Sequence, residues 1–443
     1  MKERKILVRF LLFGTLTLSL SVTGFSQRYL SDIDSSFFIK DTVRPIIKRF
    51  ENLRITGYIQ PQFQVAQSAG ISSYSGGNFS QHSRSRFMLR RARVKIDYVL
   101  PSSKSRYPLA LFSFQIDATE RGVVVRDMFL KLFETKANIF NLTAGLFARP
   151  FGYEVNLSSV FRETPERGRM SQILMPTERD IGVMISFEPQ ERERKFSHVK
   201  FDAGFFNGQG LSGTTDFDSH KDFISRLFIK PYLINNVELS GGLSILRGGW
   251  KNGTKYVYNL ETSPNGEKLF VVDSSESNLG NSSPRHYYGG DAQVKLNHGW
   301  GATEWRAEYW FGTQPGTEFS TSNPGTLPSS NGLPLPTYIR HFDGAFFCFL
   351  QHIVNPKHQL MLKYDWYDPN IHVEGDEIGK PGTSLTAADI RYGTLGIGYS
   401  YSFNPQTKVV LYYDRVKNEN TLLPGYTKDI KDDVFTARLQ FRF

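Results

Sequence analysis

The chain has very little cysteine: Cys348 is the only one in 443 residues. A single cysteine excludes a disulfide framework and any zinc site built from several cysteines. Long apolar runs are also scarce. After the first 25 residues, no uncharged apolar stretch reaches the roughly 18 residues of a membrane-spanning helix, which excludes a helical membrane protein with several spans. An aromatic content of 14% and 38 glycines are too rich for a disordered chain or a helical bundle. A single large β-structure remains.

The N-terminus has the features of an export signal. Lys2, Arg4, Lys5 and Arg9 precede a short apolar stretch, Phe10 to Phe25. Gly24 and Ser26 place small residues at the positions that a signal peptidase reads, so we expect a signal peptide over residues 1–26. This leader holds four basic residues and one acidic residue, so its removal lowers the formal net charge from +10 to +7. Residues 27–53 are then expected to form a short periplasmic segment, and residues 54–443 the main domain.

The last nine residues alternate strictly between apolar and polar side chains. One face holds Phe435, Ala437, Leu439, Phe441 and Phe443, and the other holds Thr436, Arg438, Gln440 and Arg442. Because successive side chains of a strand point to opposite faces, this pattern predicts a strand with one apolar and one polar face.

The same alternation recurs from Arg54 to the C-terminus and predicts strands at 54–66, 87–99, 108–118, 124–134, 138–147, 180–188, 197–206, 222–232, 236–246, 286–297, 301–312, 338–351, 358–367, 391–403, 406–416 and 433–443. Sixteen is an even number, as a closed antiparallel bacterial barrel requires. The pattern does not settle which residues of 124–134, 222–232 and 338–351 face inward.

The connections between these strands alternate between long and short along the chain, apart from one brief connection after the third strand. Outer-membrane barrels show this asymmetry, with short periplasmic turns and long outer loops. Lipid explains it, since irregular backbone cannot satisfy its polar groups in hydrocarbon. We therefore predict an all-β, transmembrane antiparallel barrel of sixteen strands.

Basic side chains repeat along the polar face of the second predicted strand. Arg91, Arg93 and Lys95 occupy every second position, so their side chains repeat at roughly 6.6 Å. Ladders of Arg and Lys of this kind lower the cost for an anion to shed water inside a pore. The alternative is that they pair with acids on the same polar faces, namely Asp97, Asp117, Asp202, Asp291, Glu304, Glu308, Asp365 and Asp414.

Three segments resemble the phosphate-selective porins O and P. Residues 87–94 read FMLRRARV, residues 145–154 read GLFARPFGYE, and residues 178–183 read ERDIGV. Each is similar to a motif of that family, and the C-terminal Phe443 matches the terminal aromatic residue of outer-membrane barrels generally.

The resemblance implies a homotrimer of sixteen-stranded barrels in a Gram-negative outer membrane, each barrel with its own pore. It also implies that the third long loop, Ala148 to Arg179, folds inward and narrows the pore. The basic residues of this loop, which the resemblance makes candidates for anion binding, are Arg149, Arg162, Arg167, Arg169 and Arg179. The loop also carries Glu154, Glu163, Glu166 and Glu178. This near balance departs from family members that line the constriction densely with Lys and Arg, so the preference between phosphate and other anions stays open.

The sequence therefore favours a passive outer-membrane diffusion channel for small anions, with phosphate as the suspected solute. Two alternatives remain: a general porin without selectivity, and a barrel whose long outer loops act in adhesion or assembly. No catalytic constellation emerges, so we expect no enzyme, cofactor or metal. The expected partners are small anions and the lipid and lipopolysaccharide of the outer membrane. Nucleic-acid binding is disfavoured because acids interrupt the basic residues.

Overall fold

The computed structural model describes residues 51–443 except 104–106, 191–195, 214 and 354–356. The expected signal peptide, and the expected periplasmic segment up to residue 50, lie outside the described residues. No helix in the described part of the chain is long and apolar enough to cross a membrane.

Strands dominate the described residues. In chain order they are β1 (Leu53–Ala66), β2 (Ser85–Pro101), β3 (Pro108–Thr119), β4 (Gly122–Phe133), β5 (Phe140–Ala148), β6 (Arg179–Phe187), β7 (Val199–Phe206), β8 (Asp222–Ile234), β9 (Val237–Lys251), β10 (Val257–Thr262), β11 (Lys268–Asp273), β12 (Ser282–His298), β13 (Gly301–Gly316), β14 (Ser329–Ser330), β15 (Leu333–Pro334), β16 (Thr337–Ile353), β17 (His358–Asp368), β18 (Tyr392–Ser402), β19 (Thr407–Asn418) and β20 (Val434–Arg442). Within the described ranges, one short α-helix, α1, spans Arg169–Leu174, and single 3-10 turns occupy Gly210–Ser212, Glu276–Asn278, Gly375–Glu377 and Ala387–Asp389.

Sixteen of the described strands form one closed antiparallel barrel, as the alternation predicts. Each barrel strand pairs with its neighbours in chain order, and β1 closes the ring against β20, where Tyr58 pairs with Arg442 and Ala66 with Val434. The other four strands belong to loops. β10 and β11 form a hairpin whose first strand also pairs with β16 in parallel, and β14 and β15 form a second hairpin.

The two faces of the barrel strands differ as the sequence pattern predicts. On β20, Phe435, Leu439 and Phe441 are exposed on the outside, whereas Arg438 and Gln440 are buried inside. A polar interior and an apolar exterior invert the arrangement of a water-soluble sheet and suit a barrel surrounded by lipid.

Long and short connections lie at opposite ends of the barrel. At one end, which we call the turn end, two-residue connections join β8 to β9 and β12 to β13. At the other, the loop end, the connections include residues 149–178 and 252–281. The brief connection expected after the third strand is also present at the loop end, where residues 120–121 join β3 to β4.

Candidate functional site

Residues 149–178 leave the loop end between β5 and β6 and fold into the barrel, as expected. We call this segment the inward loop. Its apolar side chains Phe151, Val155, Met170, Ile173, Leu174 and Met175 are buried in one cluster with wall residues of β7, β8, β9, β12, β13, β16 and β17. Phe151 meets Trp310 edge to face, with ring centroids 4.8 Å apart. Burial of apolar area therefore holds this loop against the wall.

A glycine lets the inward loop approach the wall closely. Gly152 has a φ of 67°, and a Cβ there would lie 2.4 Å from Glu308 Oε1 and 2.7 Å from Trp310. The carboxylate of Glu308 accepts hydrogen bonds from the backbone amides of Tyr153 (2.6 Å) and Glu154 (2.9 Å). Side chains other than glycine rarely adopt this backbone conformation, so Gly152 suits both the turn and the contact.

Three arginines from the wall surround one acid of the inward loop. The carboxylate of Glu166 lies 2.8 Å from Arg90, 3.0 Å from Arg91 and 2.8 Å from Arg438. Burial opposes ionisation of Glu166, but the three guanidinium groups outweigh it and hold its pKa well below the usual range. This buried acid therefore stays ionised at neutral pH and ties the loop to β2 and β20.

A second acid of the inward loop has a similar set of partners. Glu178 binds Arg126 and lies 3.6 Å from Arg167 and 3.5 Å from Arg179. Burial raises the pKa of Glu178, but these arginines outweigh burial and lower it well below its usual range. Arg179 also donates to Asp127 on β4 at 2.9 Å. Glu178 therefore ties the end of the inward loop to β4.

Two β-bulges each direct one arginine into the lumen, one toward Glu166 and one toward Glu178. On β1, Gln60 pairs with Arg91 and Pro61 with Leu89, so Arg90 is the extra residue of β2. Gln115 of β3 likewise pairs with Asp127 and Ile116 with Val125, which makes Arg126 the extra residue of β4. A bulge re-aims a side chain that alternation would point outward. Arg90 therefore reaches Glu166, and Arg126 reaches Glu178.

The predicted basic ladder lies on the inner face of β2, and each of its members has an acidic partner. Arg91 binds Glu166, Arg93 donates to Asp117 at 2.8 Å, and Lys95 lies 3.0 Å from Asp97. Arg91 and Arg93 are buried, whereas Lys95 is partly exposed.

The five predicted basic residues of the loop segment 148–179 divide among several places. Arg162, Arg167 and Arg179 lie near the acids Glu166 and Glu178; Arg162 contacts the carbonyls of Thr164 and Pro165. Burial and the neighbouring Arg91 lower the pKa of Arg162 to about 10.

The other two predicted loop arginines lie elsewhere. Arg149 is buried and donates to the carbonyl of Thr177. The guanidinium of Arg169 lies between the rings of Tyr74 and Tyr392, 4.6 and 3.6 Å from their centroids, and 4.0 Å from Asp432. The structure therefore brings only part of the predicted set together.

Sequence reasoning missed Arg90, Arg126 and Arg438 as partners of the inward loop. The alternation places Arg438 on the polar face, but it cannot show that Glu166, 272 positions away, is its partner. The bulges leave a weak signal, since Arg90–Arg91 and Arg126–Asp127 put two consecutive polar residues inside otherwise alternating strands.

A separate set of cations faces the lumen at the turn end. Its members share the inward parity of their strands: Arg54, Lys95, Lys131, Lys200, Lys230, Lys295, Lys408 and Arg442. We call these eight residues the basic collar. Inward-facing acids at the same end of the described strands and turns are Asp97, Glu188, Asp202, Glu238 and Glu304. Among the described side chains at this mouth, cations therefore outnumber acids by eight to five.

Three collar lysines converge on one acid. Lys131, Lys200 and Lys230 lie 3.6, 3.8 and 3.6 Å from the carboxylate of Glu188. Their side chains are 20%, 19% and 28% exposed, compared with 5% for Arg93. Collar charges therefore remain in contact with solvent.

The described residues contain no group of three or more His, Cys, Asp or Glu side chains arranged to hold a metal ion. Glu166, Glu178 and Glu188 instead each lie close to three basic side chains.

Comparisons with solved structures identify the fold. Pseudomonas putida OprB aligns with a TM-score of 0.57 and 10% identity over 91% of this chain and 97% of its own. The outer-membrane channel DcaP of Acinetobacter baumannii aligns with a TM-score of 0.54 and 12% identity, over 88% of this chain and 97% of its own. An anion-selective porin from Comamonas acidovorans aligns with a TM-score of 0.53 and 11% identity, over 88% of this chain and 99% of its own. The chain thus has the fold of Gram-negative outer-membrane porins.

Neither the protein-family models nor the curated proteins contain a match to this sequence. The expected membership of the phosphate-selective family is therefore not confirmed, and the likeness to solved structures extends to the porin fold alone.

Proposed function

We propose that this protein is a passive diffusion channel of a Gram-negative outer membrane with a preference for small anions. The porin fold, the polar interior and the apolar exterior support a water-filled pore in lipid. The observation that carries the anion preference is the basic collar, where eight cations face five acids at the turn-end mouth.

The collar suits this role better than the buried arginines do. A charge acts on a passing ion when water and the ion can approach it, and a binding site on the path must stay weak enough to release the ion. Lys95, Lys230 and Lys295 are 33%, 28% and 39% exposed, whereas Arg91 is 8% exposed and bound to Glu166. We assign the buried arginines mainly to holding the inward loop, and the collar to attracting anions.

Inorganic phosphate belongs among the anions that we propose as solutes. Arginine forks match phosphate oxygens in pairs, and the eight predicted residues Arg91, Arg93, Lys95, Arg149, Arg162, Arg167, Arg169 and Arg179 stay candidates for contacts with a permeant anion. Because most of them already contact acids or carbonyls, we expect phosphate to be no more than a weakly held solute. Export by a signal over residues 1–26, a homotrimer and a surrounding of lipid and lipopolysaccharide complete the proposal.

Planar-bilayer recording tests the proposal. The purified full chain is reconstituted under a tenfold KCl gradient, and the voltage of zero current is measured. We expect an ohmic current and a zero-current voltage of the sign that marks chloride as the more permeant ion. A voltage near zero would support the general porin without selectivity, and the opposite sign would refute the anion preference. Added phosphate should reduce the chloride current only slightly.

A second candidate function is adhesion or assembly through the loop end, and one observation favours it. The outer loops share a buried apolar cluster of their own, formed by Phe270, Tyr338, Val373, Ile378, Leu385 and Ile390. Loops that are packed in this way present a defined surface to a partner. Absence of any channel current, together with loss of partner binding after deletion of the β10–β11 hairpin, would favour this function over transport.

A further inference from the structure

The outward face of the barrel carries two groups of aromatic side chains, one near each end. Near the turn end lie Tyr232, Trp300, Tyr401 and Phe403; near the loop end lie Tyr288, Tyr309, Phe311, Tyr364 and Trp366. Aromatic residues of outer-membrane barrels concentrate at the two lipid–water interfaces. These groups therefore mark the depths at which lipid headgroups meet the wall.

A groove lies on the outward face within the loop-end aromatic group. Across the sheet, Trp366 of β17 pairs with Gly393 of β18, and Gly393 pairs with Lys417 of β19. Since Gly393 has no side chain, it forms a floor between an aromatic ridge and a basic ridge. The groove has a volume of about 730 Å³, within the range of roughly 300–1,000 Å³ typical of small-molecule sites.

Three cations line this groove: Arg391, Arg415 and Lys417. Arg415 and Lys417 continue the outward row of Leu411 and Tyr413 on β19, so this row passes from apolar to basic toward the loop end. Within the described part of the chain, none of the three cations has an ion-pair partner within 4.0 Å.

The three acids that line the groove, Asp343, Asp368 and Glu419, already accept hydrogen bonds from protein donors. Asp368 accepts from the backbone amide of Asn370 at 3.0 Å. Asp343 accepts from Tyr309 Oη at 3.1 Å and Trp366 Nε1 at 3.2 Å. Glu419 accepts from the backbone amides of Arg391 and Gly375, at 2.7 and 3.1 Å. The cations, in contrast, remain available to an anion from outside.

We propose that this groove binds the phosphate-bearing headgroup of an outer-leaflet lipid, with its acyl chains along the apolar wall below. Arg415 and Lys417 project at neighbouring outward positions, roughly 6.6 Å apart, and a phosphate between them would be held by charge-assisted hydrogen bonds. Leu395 and Tyr364 flank the groove on the hydrocarbon side and offer contact to the chains. The inference rests on the proposed function only in placing the barrel in a membrane.

Native mass spectrometry of the detergent-purified full chain tests the site with lipid A as the probe. We expect the wild-type protein to retain lipid A, and the double variant Arg415→Gln/Lys417→Gln to lose at least tenfold in retention. Gly393→Leu should cause a similar loss, because it fills the groove without changing a charge. The backbone of Gly393 has an ordinary φ, and a Cβ added there would lie 3.3 Å from Tyr364 Oη, at the end of that side chain. Phosphatase-treated lipid A and inorganic phosphate should not bind.

The matched control is Arg247→Gln/Lys251→Gln, which removes two outward cations of β9 near the loop end. An equal loss of lipid A retention in this control would mean that lipid A is attracted to any basic surface, and it would overturn the proposed site. Equal binding of phosphatase-treated lipid A would overturn it as well. If the groove variants dissociate an oligomer without changing lipid retention, the groove is a contact between copies and the inference is wrong.

Channel recording on the same variants separates the two proposals. Lys417 and Gly393 lie outside the lumen, so their variants should keep the wild-type zero-current voltage even when lipid retention falls. Absence of current from every form, including wild type, would refute the channel while leaving the lipid result intact.

Discussion

At the scale of single residues, the lumen is organised by acids that each hold several arginines. Glu166 and Glu178 are the clearest cases. The sequence places Arg91 and Arg438 on the polar faces of their strands, and hence predicts that these two arginines face inward. It cannot show which acid meets which arginine, because Glu166 reaches partners 75 and 272 positions away. The ladder Arg91–Lys95 could be predicted as a pattern, but its pairing depends on the fold of a loop.

Glu166→Gln should destabilise the barrel. A neutral amide leaves Arg90, Arg91 and Arg438 close together without their shared anion, and breaking a buried ion pair costs about 3–5 kcal/mol. The temperature at which the folded band disappears in heat-modifiability electrophoresis should fall. Glu276→Gln is the control, since the Glu276 side chain is 78% exposed and its carboxylate pairs with the partly exposed Lys255. An unchanged unfolding temperature for Glu166→Gln would refute the anchoring role.

Mild acid should leave the inward loop attached. The pKa of both Glu166 and Glu178 is lowered in the folded protein. Each therefore contributes stability that is present above the unfolded value near 4.5 and is lost only as the pH falls through the lower folded value. Single-channel conductance and current noise should match at pH 7 and pH 5. New gating noise at pH 5 would contradict this anchoring.

At the scale of elements, bulges and apolar contacts in the lumen explain why the sequence pattern could not show which residues of three strands point inward. On β4, the extra residue Arg126 shifts the alternation by one position. On β8, a register shift between Ile229 and Tyr232 has the same effect. On β16, the inward positions include Phe342, Phe346 and Leu350, because this stretch of wall packs against other buried residues of the lumen. All sixteen strands could be predicted, but these local phases depend on contacts between distant segments.

Deletions within β2 should separate a bulge from a regular strand. Removing Arg90 deletes the extra residue and leaves the parity of its neighbours unchanged relative to β1, so the barrel should still fold. Removing Val94 from the regular part shifts one side of the strand by a residue and turns charged side chains toward lipid. Folding into detergent micelles, followed by circular dichroism and heat-modifiability, should succeed only for the first deletion. Comparable folding of both deletions would refute the bulge assignment.

At the scale of the whole molecule, the sorting of connections by length and the inverted faces follow from lipid as the solvent. Both could be predicted because a bilayer imposes them on every strand. The basic collar could not be recognised, because its residues are single cations on many strands. They come together only when the barrel closes and their turn ends form one rim.

The most direct test of the central claim, that the exposed collar sets the anion preference, is the zero-current voltage of Lys131→Gln/Lys200→Gln/Lys230→Gln under a tenfold KCl gradient. The control is Lys255→Gln/Lys268→Gln/Lys380→Gln, which removes three loop-end charges. Charges near a wide mouth act over a Debye length, ~10 Å at 0.1 M salt and ~3 Å at 1 M. The zero-current voltage of the collar variant should therefore lie much closer to zero than that of the control, and the difference should be largest at low salt. A collar variant with the wild-type voltage would contradict the account.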